Sequence, residues 1–338
     1  MTTETEVYME RFNVADPVHG EVACVELGPR RDATLPVCLF LYGGGGTSES
    51  LLALEPLLTQ AWQRGVLPAC RVITPNVAPW GFYLDDAQHH SAWESFVAER
   101  LLSRIHGTPV LAAPVRVGLL GISMGGYGAL KMAFARPHSF AAVAAVGPMV
   151  EPAFTEAQVR PRNRYHYPPE VPAALLGPAR DAALYASDHP AGRAVGNAAA
   201  LRAAALSIYL DAGAADALNA HDGAEFLHRV LWELDVRHDY HLWADADHVG
   251  PSLLPRLEAA FTWVGSKLAP TKIVLTALEL DWQRWLDGGT QGKPPPPLPP
   301  TSPLLPRVLR TRLAPLREAA QRQDETMSRV FGVLPASS

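Results

Sequence analysis

Cysteine is scarce. Cys24, Cys38 and Cys70 are the only three in 338 residues. An odd number at these spacings fits neither a disulfide framework nor a metal motif. They are expected to be small buried hydrophobes of a reducing compartment. Charge is sparse too, at 19% of residues with a net value of -5. That balance offers no electrostatic footprint for nucleic acid or an anionic membrane. No apolar run approaches the length of a membrane span. The opening MTTETEVYMERF lacks the basic start and apolar core of a signal peptide, so a cytoplasmic protein is expected. Internal repeats are lacking. The glycine loop GGGGTSES has no Gly-Lys-Ser/Thr and no G-x-G-x-x-G spacing, so it does not read as a phosphate-binding loop.

What is present is alternation. Residues 5–14 and 20–27 read as two opening strands that pair antiparallel around the Asp16-Pro17 turn. LPVCLFLY at 35–42 is an unbroken apolar run, the pattern of a strand buried on both faces. Further short apolar strands are expected at 71–76, 115–120, 140–146, 206–211 and 237–243. Helical periodicity falls between them, at about 48–64, 92–105, 219–233 and 253–268. Such alternation implies an α/β fold, a mostly parallel central sheet with helices on both faces. Residues 148–200, rich in proline, aromatic residues and arginine, break the rhythm after the sixth strand and read as a small insertion of helices and loops. The catalytic domain is expected to span residues 1–268. Residues 269–289 follow as a helical extension, then 290–303 as a stiff polyproline linker unable to join a core. The Arg-rich amphipathic tail at 304–338 reads as two short helices and as a candidate surface for self-association.

The chain is organised around Val115 to Lys131, VRVGLLGISMGGYGALK. An apolar strand meets Gly121-Ile122-Ser123-Met124-Gly125, and a helical pattern starts at once. G-x-S-x-G in that setting lifts a serine hydroxyl off the end of a sheet above a helix N-terminus. A serine hydroxyl needs a base to become a nucleophile, and the base needs a carboxylate to hold its tautomer. In this architecture the chain order is serine, acid, histidine. Asp216, just past the 206–211 strand, and His248, just past the 237–243 strand, supply that order at the carboxyl ends of strands. Asp211 is the weaker candidate for the acid, expected to brace its turn instead. Asp245 and Asp247 flank His248 and read as solvated loop acids. His238 and His241 fall within a strand pattern and read as structural. The pair His89-His90 lacks a third ligand, so no metal is expected there.

The oxyanion of a tetrahedral intermediate needs N–H donors. Met124, after the serine, and Gly44 or Gly45, in the loop after the 35–42 strand, are the candidates. Trp80 and Tyr83 are candidate substrate-binding residues with aromatic faces, and each competes with a core role. No cofactor is needed for this chemistry.

The segments LYGGGG, WGFYLDD, GISMGGYGALKMA, LDAGAAD and ADHVGPSL resemble the putative-esterase branch of the α/β-hydrolases. That branch includes S-formylglutathione hydrolase (esterase D), feruloyl esterases and the antigen 85 mycolyltransferases. The resemblance covers about residues 35–267. It implies Ser123 as nucleophile, Asp216 as orienting acid, His248 as base, and Trp80 to Asp86 beside the acyl or alcohol pocket. Tyr42 departs from the pattern, standing where many relatives carry histidine. The function expected is hydrolysis of a small-molecule carboxylic ester or thioester through an acyl-enzyme. The rival expectations are acyl transfer on the same triad and a non-catalytic interaction protein on the same fold.

Overall fold

The structure is a computed structural model. It describes residues 7–86, 90–107, 115–153, 158–166, 186–269 and 276–299, together with 302, 304, 305, 307–309 and 311. The chain divides into two units, residues 1–270 and 271–338.

The larger unit is built on an eight-stranded sheet in the order β1-β2-β4-β3-β7-β8-β9-β10. Its edge is the hairpin β1 (Tyr8–Asp16) and β2 (Gly20–Gly28), which pairs antiparallel in unbroken register. Asp16 Oδ1 accepts the N–H groups of Val18 and His19, both at 2.9 Å, and so folds the turn. β2 also runs antiparallel to β4 (Arg71–Pro75). From β4 onward the pairing is parallel, through β3 (Val37–Leu41), β7 (Val117–Ile122), β8 (Ala142–Val146), β9 (Ser207–Gly213) and β10 (Asp239–Trp243). Every residue of β3, β4 and β8 is buried, as continuous apolar runs require when both faces are covered. β10 is the far edge and stays largely exposed.

The covering helices lie close to their expected places. The 48–64 run divides at Pro56 into a 3₁₀ turn (Ser48–Leu54) and α1 (Glu55–Gln63). Proline has no N–H to continue the first helix but fits the first turn of the second. α2 (Trp93–Ser95) and α3 (Leu102–His106) are joined by a π-turn segment, Phe96–Leu101. A two-residue ribbon ahead of α2, β5 (Asp85–Asp86) with β6 (Ser91–Ala92), was not expected from the sequence, because two residues carry no period. α4 (Met124–Ala135) is buried along almost its whole length and rests on β7 and β8. Residues 148–200, expected from the sequence to be an insertion, contain α5 (Pro161–His166) and α6 (Pro190–Gly196), with α7 (Ala198–Ala203) leading into β9. Residues 154–157 and 167–185, which share that insertion, lie outside the described residues. α8 (Ala220–Glu233) and α9 (Leu253–Leu268) complete the layers. No helix among the described residues is long and apolar enough to cross a membrane.

The second unit holds α10 (Ala277–Asp287), capped by Thr276 and Glu279. The proline-rich stretch is not the detached spacer the sequence implies. Trp282 Nε1 donates to the Pro296 carbonyl at 2.7 Å, and Leu298 and Leu304 pack against a small core of Trp282, Leu286 and Val308. Proline carbonyls remain acceptors and proline rings are apolar, so an extended proline run fits an indole-bearing helix face. The Arg-rich tail beyond residue 311 lies outside the described residues.

Candidate active site

Ser123 sits between β7 and α4 with φ 56° and ψ -118°. A non-glycine residue rarely adopts a positive φ, and the surroundings must enforce it. They do so here through backbone contacts. Ser123 N–H donates to Val146 O at 2.9 Å, and Ser123 O accepts from Tyr127 at 3.1 Å and Met149 at 3.2 Å. The two glycines of the motif are dictated by space. A Cβ on Gly121 would overlap the Gly125 carbonyl, and one on Gly125 would overlap the Leu41 carbonyl. The serine is thus wedged against the end of β3 as well as its own strand.

The three triad candidates, far apart in sequence, are brought into one hydrogen-bonded chain. His248 Nε2 lies 2.9 Å from Ser123 Oγ, and His248 Nδ1 lies 2.6 Å from Asp216 Oδ2. Asp216 Oδ1 accepts the Leu218 N–H at 2.8 Å, so both carboxylate oxygens are engaged. His248 and Asp216 are buried, whereas Ser123 is half-buried. The acid turn and the histidine loop are tied together by Ala214 N–H to Trp243 O and Ala215 N–H to Ala246 O, both 2.9 Å.

Asp211 does not take part in that chain. It accepts from Arg256 Nε at 2.7 Å, and both side chains are fully buried. Burial pushes the Asp211 carboxyl above its ordinary value, and the Arg256 charge opposes that rise without cancelling it. Arg256 Nη1 also donates to Asp247 O at 2.6 Å, so the ion pair braces the loop that carries His248. Sequence reasoning passed over Arg256. Its signal is an arginine set among the apolar residues of α9, a position that needs a buried counter-charge. Asp247 turns the loop by accepting the Gly250 N–H, and Asp245 is exposed. His238 bonds His228 at 2.7 Å and Val236 O at 2.8 Å, and His241 stacks on Tyr209, all away from the triad candidates in the contacts they make. His90 is exposed, and His89 lies outside the described residues.

The oxyanion candidates separate. Met124 opens α4, so its N–H has no acceptor within the helix. Among the described residues neither Met124 nor Gly44 spends its N–H on a hydrogen bond. Gly45 does, donating to Pro79 O at 2.8 Å, and this corrects its candidacy, because an N–H committed to a carbonyl cannot also meet an oxyanion. The glycine loop abuts the serine, since a Cβ on Gly43 would stand 3.2 Å from Ser123 Cβ.

The aromatic candidates separate as well. Trp80 is 36% exposed and lies flat enough on Gly44 that a Cβ there would collide with its ring. Tyr83 is corrected to a core residue. It is 0% exposed, and its hydroxyl donates to Tyr42 O at 3.2 Å. It fills the space left by Gly128 on α4, where a Cβ would come within 2.7 Å of the ring. Tyr83 therefore packs between the glycine-loop end of β3 and the serine's helix, closed off from solvent. Tyr42, the departure from the histidine of many relatives, is buried too. Its hydroxyl donates to Val77 O at 2.7 Å and accepts the Val77 N–H at 2.6 Å.

Comparison with known proteins agrees with this fold. Solved structures with the same fold include a ferulic acid esterase, at 17% identity and TM-score 0.61, covering 78% of this chain and 98% of that one. The S-formylglutathione hydrolase from Agrobacterium tumefaciens aligns at 19% identity and TM-score 0.60, covering 79% and 98%. FphF, a fluorophosphonate-binding serine hydrolase of Staphylococcus aureus, aligns at 16% identity and TM-score 0.59, covering 77% and 98%. No curated protein matches the sequence significantly. The family model described as "Putative esterase" matches residues 59–241, more than half of the chain. The chain therefore belongs to the Putative esterase family and is a carboxylic ester hydrolase of the α/β-hydrolase fold.

Proposed function

We propose that Ser123, His248 and Asp216 are the catalytic triad of this esterase, acting on a small-molecule carboxylic ester or thioester. The observation that carries the proposal is the unbroken chain Ser123 Oγ, His248 Nε2, His248 Nδ1, Asp216 Oδ2 at 2.9 and 2.6 Å. Ser123 Oγ attacks the acyl carbon while His248 Nε2 takes its proton. The carbonyl electrons move onto oxygen, and the N–H groups of Gly44 and Met124 meet that charge. Collapse breaks the bond to the alkoxide or thiolate, which leaves with the proton from His248. Water then attacks the acyl-serine with His248 as base, releasing the acid and restoring Ser123. Asp216, desolvated and doubly hydrogen-bonded, holds the imidazole in the productive tautomer throughout. Trp80, stacked over Gly44, forms an apolar wall beside the acyl carbon.

Residues 1–268 are the catalytic domain, with 148–200 as its insertion. The three free, buried cysteines support a reducing, cytoplasmic setting.

The test is Ser123→Ala. It should retain the wild-type melting temperature, lose p-nitrophenyl acetate hydrolysis by at least about 10⁴-fold, and lose labelling by a fluorophosphonate probe. Persistent turnover at the wild-type rate would assign the nucleophile elsewhere.

A further inference from the structure

The insertion does more than lie beside the catalytic domain. Two of its polar side chains, Glu151 and Asn163, form a buried chain that ends at Asn219, on the turn carrying Asp216. Asn163 Nδ2 donates to both carboxylate oxygens of Glu151, at 3.1 Å each. Asn163 Oδ1 accepts from Asn219 Nδ2 at 2.6 Å. Glu151, Asn163 and Asn219 are 1%, 0% and 4% exposed. The direction of the chain is set by its first member. A carboxylate only accepts, so Asn163 must turn its NH₂ toward Glu151 and its oxygen toward Asn219, which must then donate.

Asn219 closes the acid turn. It holds the left-handed conformation, φ 59°, and its N–H donates to Asp216 O at 3.0 Å. The Leu218 N–H inside the same turn fixes Asp216 Oδ1. Anchoring the Asn219 side chain thus fixes one end of a four-residue turn whose other end is the carboxylate bonded to His248. The neighbourhood has no slack. A Cβ on Gly223, in the first turn of α8, would overlap the Val150 carbonyl, one residue before Glu151.

We infer that Asn163 is a positioning residue for Asp216, by which α5 of the insertion holds the acid turn in register with His248. The inference rests on the triad reading above. An exposed second link between the same segments, Arg160 to Asp222 at 2.9 Å, has Arg160 61% exposed and contributes little. It serves as the control.

The experiment measures kcat per active site, with the sites counted by fluorophosphonate titration, so that loss of folded protein is not read as loss of rate. Asn163→Ala and the isosteric Asn163→Asp should lower kcat per site by about 10- to 100-fold, the cost of a misplaced catalytic group, with KM within about twofold. Arg160→Ala should stay within about twofold of wild type. The exchange Glu151→Gln with Asn163→Asp restores a carboxylate facing two amide donors and should recover most of the rate. Asn163 variants with wild-type kcat per site overturn the inference, and so does a double variant that stays as slow as Asn163→Asp. If Ser123→Ala is inactive while the Asn163 variants are normal, the triad stands and only the positioning role falls. If Ser123→Ala keeps its activity, the triad reading itself is wrong.

Discussion

Gly125 and Leu41 meet backbone to backbone, with no room between them for even one methyl group. That contact joins the helix after the serine to the end of the strand that launches the glycine loop. The proposed nucleophile, Ser123, and one proposed oxyanion donor, Gly44, are thereby set on adjoining, mutually wedged elements.

Gly125→Ala is therefore expected to cost at least about 3 kcal/mol, beyond ordinary overpacking, because backbone rather than a side chain must yield. Chemical denaturation followed by circular dichroism measures it. A variant with an unchanged midpoint would show that the serine's helix and β3 stand further apart than described.

Asp216 and Asp211 should respond in opposite ways. Asp216→Asn should leave the melting temperature near wild type while kcat falls on the order of 10⁴-fold, through loss of the productive tautomer. Asp211→Asn leaves the Arg256 charge buried without its counter-charge, and stability should fall by about 3–5 kcal/mol. Parallel melting curves and burst-titrated rates separate the two. Equal effects at both positions would contradict the division of roles.

Tyr42→Phe removes a hydroxyl that satisfies both backbone groups of Val77. Burial pushes that phenol up to about 12, against the opposing Val77 bond, so it stays a neutral donor and acceptor across the working pH range. A loss of about 2 kcal/mol is expected from the unpaired backbone groups. KM should rise as well, because Val77 leads into the loop that places Trp80. A rise in KM without loss of stability would place the effect in the pocket alone.

His189 caps α6 with Nδ1, accepting the Ala191 N–H at 3.1 Å. Burial lowers its pKa to about 4, against the opposing effects of a Glu151 backbone hydrogen bond and the Asp188 charge. The folded state thus holds the imidazole neutral where the unfolded chain would protonate it. Stability is full above about pH 6.5 and should fall by roughly 3 kcal/mol as pH drops through 6.5 to 4. His189→Gln should remove that slope from denaturation measured across the same range. An unchanged slope would assign the acid sensitivity to other groups.

Much of this molecule was legible along the chain because its signals are local. The strand of unbroken apolar residues at 37–41, the turn-enforcing glycines around Ser123, and an acid and a histidine just past later strands each follow from neighbouring residues. Other features have no local signature. Tyr83 and Trp80 are both aromatic residues of one loop, and nothing in their neighbours says that one enters the core while the other faces solvent. Gly44 and Gly45 are adjacent and identical, and only the Pro79 carbonyl, brought alongside by another loop, removes the second as a donor.

The sequence by itself determined the α/β class, the order of the elements and the residue types able to perform acyl transfer. Period, turn chemistry and motif spacing act over a few residues and leave their trace there. Tertiary structure alone decided which N–H groups stay free, that Asp216 and Ser123 meet at His248, and that Asn163 hydrogen-bonds Asn219 on the acid turn. Those outcomes depend on distances between groups 32 to 125 residues apart in the chain, from Asp216 to His248 and from Ser123 to His248. Hydrogen bonds and close packing act only at contact, and contact between such distant residues exists only once the sheet has assembled.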